Sequence, residues 1–89
     1  MMGADPVSSL AARQKTEVFN RRYGAAIRRL RMEAGLKQSD IAGLTERNLR
    51  RVEHGQLAAS KSTLQSLANA HGMALEDYLD GLALGVKGA

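Results

Sequence analysis

The chain has 89 residues, 44% of them hydrophobic and 25% charged, with a formal net charge of +4, one proline and no cysteine. That length holds one domain; the missing cysteines exclude disulfides, thiolate metal sites and a thiol nucleophile, and no apolar run approaches the roughly 18 residues of a membrane span. The opening MMGADPVSSL has neither a basic start nor a long apolar stretch, so no secretory signal is expected and the cytoplasm is the expected compartment.

Residues 1–7 read as a loose tail. Residues 8–18, SSLAARQKTEV, have a weak apolar pattern and read as a helical extension capped by Ser8 or Ser9. Residues 19–34 read as a helix. Phe19, Tyr23, Ile27, Leu30 and Ala34 recur at spacings of three and four and form one stripe, with Arg21, Arg22, Arg28 and Arg29 mostly on the other faces. Gly35 is expected to end it in the left-handed conformation.

A very short helix is expected over 37–42, closed by Gly43. Thr45 then caps a helix over 46–54, ERNLRRVEH, with Glu46 in the first turn, where a carboxylate suits the helix dipole. Leu49 and Val52 face inward in it, and Gly55 ends it. Residues 56–60 form a loop. Ser60 or Ser62 caps a helix to about residue 71, with Leu64, Leu67 and Ala68 on its buried side and Gly72 after it. The last helix is expected over 75–83, with Leu75, Tyr78, Leu79 and Leu82 apolar, and residues 84–89 are expected to fray. The reading is all-α: a compact bundle of five short helices over residues 19–83, with residues 1–18 as a tail and helical extension.

The charge is uneven. From Arg13 to Lys61 there are 12 basic residues against 5 acidic, whereas from Ser62 onward one lysine faces three carboxylates. A concentrated positive field attracts polyanions. A well-solvated basic surface is the plainer reading of charge alone.

Order and spacing decide between the two. Gly35-Leu36-Lys37-Gln38, then Ile41-Ala42, Gly43-Leu44-Thr45, the run from Leu49 to Gly55, and Ala68 to Gly72 together resemble the helix-turn-helix domain of the phage repressor and Cro class, the Xre family. The resemblance covers roughly residues 23–82 and implies a lambda-repressor-like fold. It departs in two places. The family has about three more residues between Ile41-Ala42 and Gly43, so the first motif helix is about one turn shorter here. Lys37 stands where the family favours a Ser or Thr cap.

The resemblance implies that helix 46–54 lies in the major groove, with its N-terminal residues on base edges. Glu46, Arg47 and Arg51 match base-reading positions. Arginine suits the two acceptors of guanine, and a carboxylate accepts from cytosine N4. Glu46 alternatively orients Arg47 or Arg50, or serves only the helix dipole. Arg50 faces either bases or phosphate. Gln38 and Thr45 match phosphate-contacting positions near helix N-termini, Thr45 in competition with its capping role. Asn48 bonds phosphate or supports the helix start. Lys37, Ser39 and Lys61 are further phosphate candidates. The loop Gln56-Leu57-Ala58-Ala59 lacks the basic residues of the family, a loss that helix-1 arginines or Arg13 and Lys15 could offset. The resemblance also implies an ion pair, Arg31 with Glu53, that holds the reading helix; the alternative is that both are exposed.

No catalytic constellation is visible: no Ser-His-Asp frame, no P-loop, no paired carboxylates. No cofactor is expected. Two histidines without a carboxylate at ligand spacing make no expected metal site. The expected function is a sequence-specific transcriptional regulator, a repressor by preference. It would bind a pseudo-palindromic double-stranded DNA operator as a homodimer through helix 75–83, in the cytoplasm of a bacterium and of phage or plasmid origin where so encoded. The rival is an antitoxin or adaptor whose partner is a toxin or another regulator.

Overall fold

The computed structural model describes the backbone of residues 6–87 and the side chains of residues 11–86. Four α-helices follow one another: α1 (Pro6–Glu33), α2 (Glu46–Glu53), α3 (Lys61–Ala70) and α4 (Leu75–Lys87), with a single 3-10 turn at Gln38–Asp40 between α1 and α2. Among the described residues the expected five-helix count is therefore corrected to four helices and one turn. The segment expected as a helix over 37–42 is too short to hold i→i−4 bonds against the cost of nucleation. It closes instead on the tighter bond from Asp40 N–H to the Lys37 carbonyl, at 3.0 Å. The Asp40 carboxylate accepts the Lys37 N–H at 2.7 Å, the reciprocal half of a capping box, while the Lys37 side chain makes no cap hydrogen bond. Ile41 is then extended, at φ −89° and ψ 99°, and this drives its side chain into the core at 1% exposure.

The extension and the first expected helix form one helix of 28 residues. Pro6 and Val7 already belong to it, because proline at the first helical position needs no N–H and has its φ preset; residues 1–5 of the expected tail lie outside the described residues. At the other end α4 continues past residue 83 to Lys87, in place of the expected fraying. Gly85 packs there against α1: a Cβ added to it would lie 3.5 Å from Ala26 Cβ, so α1 supports the extra turn. Residues 88 and 89 lie outside the described residues.

Ala26, Ile27, Ile41, Leu49, Val52, Leu67, Ala68, Tyr78 and Leu82 form the core. Each large side chain among them contributes about 1.5–3 kcal/mol by leaving water. The stripe on α1 is shorter than its spacing suggests. Ile27 is fully buried and Tyr23 and Leu30 lie against the core, but Phe19 is 56% exposed. Phe19 stands one turn beyond the domain's edge and stacks on Tyr23 with ring centroids 4.4 Å apart. Ala34 is exposed just after the helix, and Leu79 on α4 is partly exposed.

Two glycines bring helices into close contact. A Cβ on Gly24, in the middle of α1, would collide with the Val52 carbonyl oxygen and lie 2.8 Å from that of Glu53. Gly55, at φ +77°, would place a Cβ 2.8 Å from Arg21 Cα. These two residues let α1 and the end of α2 touch backbone to backbone, which fixes the tilt of α2.

Candidate nucleic-acid interface

Thr45 begins the site. It is extended, at φ −81° and ψ 151°, and its Oγ1 accepts the Asn48 N–H at 3.1 Å, satisfying one of the free donors of the helix start. Gly43, at φ +87°, turns the chain from Ile41 toward this cap, a conformation open to glycine without a Cβ penalty.

Within α2 the buried residues are Leu49, Val52 and Glu53. A helix turns about 100° per residue, so Arg47 and Arg51 lie about 40° apart and nearly opposite that buried set, with Arg50 on the flank. All three are exposed, as are Glu46 and Asn48. Among the described residues the single ion pair joins Arg31 to Glu53; the α2 arginines have no carboxylate partner there.

That ion pair is two-pronged. Arg31 Nε donates to Glu53 Oε2 at 2.7 Å and Nη2 to Oε1 at 2.9 Å. Nη1 donates to the Leu36 carbonyl at 3.0 Å, and Gln38 Nε2 donates to Glu53 Oε1 at 3.2 Å. Both charged residues are buried, Arg31 at 9% and Glu53 at 5% exposure. The hydrogen bond to Glu53 raises the Arg31 pKa further above its ordinary value, and burial opposes it. Burial, followed by the nearby negative charge of Glu53, pushes the Tyr78 phenol well above its ordinary 10.0. The arrangement ties α1, the 3-10 turn and the last residue of α2 together through charge-assisted bonds.

The structure sorts the remaining sequence candidates. Lys37, Gln38, Ser39 and Glu46 line one open groove with Arg31 and Met32, at the N-terminal end of α2. Lys37 and Ser39 are exposed, whereas Gln38 is half-buried and its amide is turned onto Glu53. Lys61 is the first residue of α3, outside that groove, behind the Ser60 cap whose Oγ accepts the Thr63 N–H at 3.1 Å. Arg13 and Lys15 lie on the part of α1 beyond Arg21, and Arg21 meets Gly55 just past the C-terminal end of α2. They stand at the end of α2 opposite Glu46. Sequence reasoning missed Gly24 and Gly55 as contact residues: it read Gly55 only as the end of a helix and assigned Gly24 no role. The signal for Gly24 was a lone glycine in the middle of a strong helical pattern.

A model of the family described as Helix-turn-helix domain matches residues 22–80. A curated relative, the HTH-type transcriptional regulator DdrOP3 of Deinococcus deserti, is 41% identical over 59 residues, which are 63% of this chain and 46% of the relative. The chain thus spans about half the length of that relative. No solved structure matches the chain. The matched segment holds the capped α2, the glycine turn before it and the buried Arg31–Glu53 tie behind it, and the chain accordingly belongs to the Helix-turn-helix domain family, as a DNA-binding domain of the repressor and Cro type whose first motif helix is cut to one 3-10 turn.

Proposed function

We propose that this chain is a sequence-specific regulator of transcription that reads double-stranded DNA in the major groove with α2. The observation that carries the reading is the outward pair Arg47 and Arg51, opposite the buried Leu49 and Val52 and without a carboxylate partner among the described residues. Arg47 and Arg51 contact bases, guanine first. Glu46 reads cytosine or orients Arg47, and Arg50 takes a base or a flanking phosphate. Lys37, Ser39, Thr45, Asn48 and Lys61 hold phosphates. Gln38 contributes through the second N–H of its amide, because the first serves Glu53. The exposed Thr45 hydroxyl accepts from Asn48 and keeps its own proton to donate.

The domain covers one half-site, so tight binding uses a homodimer built on α4 at a pseudo-palindromic operator with half-sites about 34 Å apart. Such a dimer in the cytoplasm represses by occupying a promoter. The transcriptional regulator from Deinococcus deserti supports regulation as the output. Selection of binding sites from random DNA tests this reading. A short two-fold motif containing G/C positions is expected, and Arg51→Ala should weaken binding by about 1–3 kcal/mol and relax one base position. A uniform loss across all sequences would assign Arg51 to phosphate.

The 3-10 turn in place of a motif helix, with the uncharged loop Gln56–Ala59, favours a second reading: an antitoxin or adaptor that docks on a toxin or another regulator. In that case the selection returns no motif, and Arg47→Ala and Arg51→Ala leave partner binding unchanged.

A further inference from the structure

Five segments of the chain surround one apolar pocket of about 190 Å³: α1, the end of α2, the loop 56–59, α3 and α4. Its floor is the core itself, since Ile27 and Leu82 are fully buried and Val52 is 3% exposed. Its mouth is apolar too. Phe19, Leu57 and Leu79, large hydrophobic side chains that the fold leaves exposed, gather there. No charged residue lines the pocket, although charged residues make up 25% of the chain. Apolar surface gathered at one concave place, rather than scattered singly, marks a site that is filled or covered in use. The loop Gln56–Ala59 points the same way. It has no cation for a phosphate, and it supplies Leu57, Ala58 and Ala59 to the pocket wall instead.

Size and chemistry define the occupant. An apolar cavity of roughly 150 Å³ holds benzene, so this one suits a single or fused ring of about six to nine non-hydrogen atoms. A protein surface lying across the mouth would cover the rim and leave the floor unfilled. With no charged group in the wall, an ion would lose its water without compensation, so the occupant is neutral. Two polar side chains, those of the half-buried Asn20 and Tyr23, stand three residues apart in the α1 wall. They offer an acceptor to one hydroxyl or N–H of the occupant.

We propose that this pocket is a binding site for a small neutral ring compound with one hydroxyl or N–H, its ring on Ile27, Val52 and Leu82 and its polar group at Asn20. The occupant would sit behind the reading helix. Val52 is on the face of α2 turned away from Arg47 and Arg51, and Gly24, which packs on the Val52 and Glu53 carbonyls, belongs to the same wall. A filled pocket favours the α2 tilt that accommodates it, so occupancy and DNA affinity are linked. Binding itself stands apart from the DNA reading; the link to α2 rests on it.

Indole, phenol, toluene and benzoate are the probes, added to the isotopically labelled full chain and followed by amide NMR shifts. Indole and phenol should give saturable shifts at Gly24, Val52 and Ala59 and raise the melting temperature, because they bind the folded chain. Benzoate, charged at neutral pH, should bind about tenfold more weakly or worse. Ala59→Leu, which fills the pocket, and Leu57→Asp, which puts a charge at its exposed mouth, should each weaken indole binding about tenfold or more, with circular dichroism confirming the fold. Asn20→Leu should weaken phenol about fivefold and leave toluene unchanged or tighter. On a selected operator, saturating indole should change the DNA dissociation constant about fivefold or more in the wild type and not in Ala59→Leu. Absent or non-saturating shifts, or shifts equal in wild type, Ala59→Leu and Leu57→Asp, would overturn the site. Pocket shifts that grow with protein concentration alone and exclude indole would assign the mouth to a second copy and overturn it as well. Indole bound in the pocket with DNA affinity unchanged would overturn the link to α2. A chain that binds indole but no DNA would end the DNA reading while the pocket stands.

Discussion

Arg31 and Glu53 show how much one residue pair can decide in a domain with so lean a core. Each charge alone would be costly to bury, and together they make four hydrogen bonds, two with each other, one to the Leu36 carbonyl and one from Gln38. Glu53→Ala strands the guanidinium and should cost about 3–5 kcal/mol of stability, read by urea unfolding. The joint change Arg31→Met with Glu53→Leu should cost less than either single change, because no charge is left without its partner. Tyr78 makes the opposite argument. Its hydroxyl is buried with no hydrogen-bond partner among the described residues, its ring lies 5.1 Å from that of His71, and its pKa is raised by burial and by Glu53. A raised folded pKa means that stability is full below the ordinary phenol value of about 10 and falls as pH rises past it, since the unfolded chain gives up the proton first. Denaturant midpoints measured on either side of that pH should show the fall in the wild type and a smaller one in Tyr78→Phe. At neutral pH that variant should lie within about 1 kcal/mol of wild type or above it, because it removes an unsatisfied hydroxyl.

The elements repeat the lesson at larger size. Cap and stop signals placed the start of α2 at Thr45 and that of α3 at Ser60 or Ser62, of which the fold uses Ser60, because a side-chain oxygen accepting from a free N–H acts within one turn of chain. Left-handed glycines at 35, 43, 55 and 72 marked the breaks for the same local reason. Length was less legible. Whether residues 37–42 make a helix depends on what the rest of the fold offers six residues, and the answer was a 3-10 turn with Ile41 pulled inward. The stripe from Phe19 to Ala34 predicted a buried face, yet burial needs a closely facing element, and Phe19 stays half-exposed at the edge of a groove between α1 and α4. Gly24 is the clearest test of helix docking. Gly24→Ala forces α1 away from the Val52 and Glu53 carbonyls, and thermal unfolding should register a loss of about 1–3 kcal/mol. It should also weaken DNA binding beyond what the stability loss explains, because α2 changes tilt.

On the scale of the whole molecule, charge and shape separate the surfaces. The cations concentrate between Arg13 and Lys61, and the C-terminal third is acidic. DNA affinity should therefore fall steeply with salt, with a log–log slope of about −0.9 for each phosphate neutralised. Lys37→Ala should make that slope shallower by about one without altering the selected motif, and a titration of wild type and variant side by side checks both statements. An unchanged slope would remove Lys37 from the phosphate contacts. The family, the helical class, the caps and the outward position of Arg47 and Arg51 were determined by sequence alone, because residue spacing around one helix and hydrogen bonds within one turn are local physics. The turn that replaced a helix, the exposure of Phe19 and the glycine contact at Gly24 were decided only in the tertiary structure. Each depends on what another part of the chain, distant in sequence, places or fails to place against that residue.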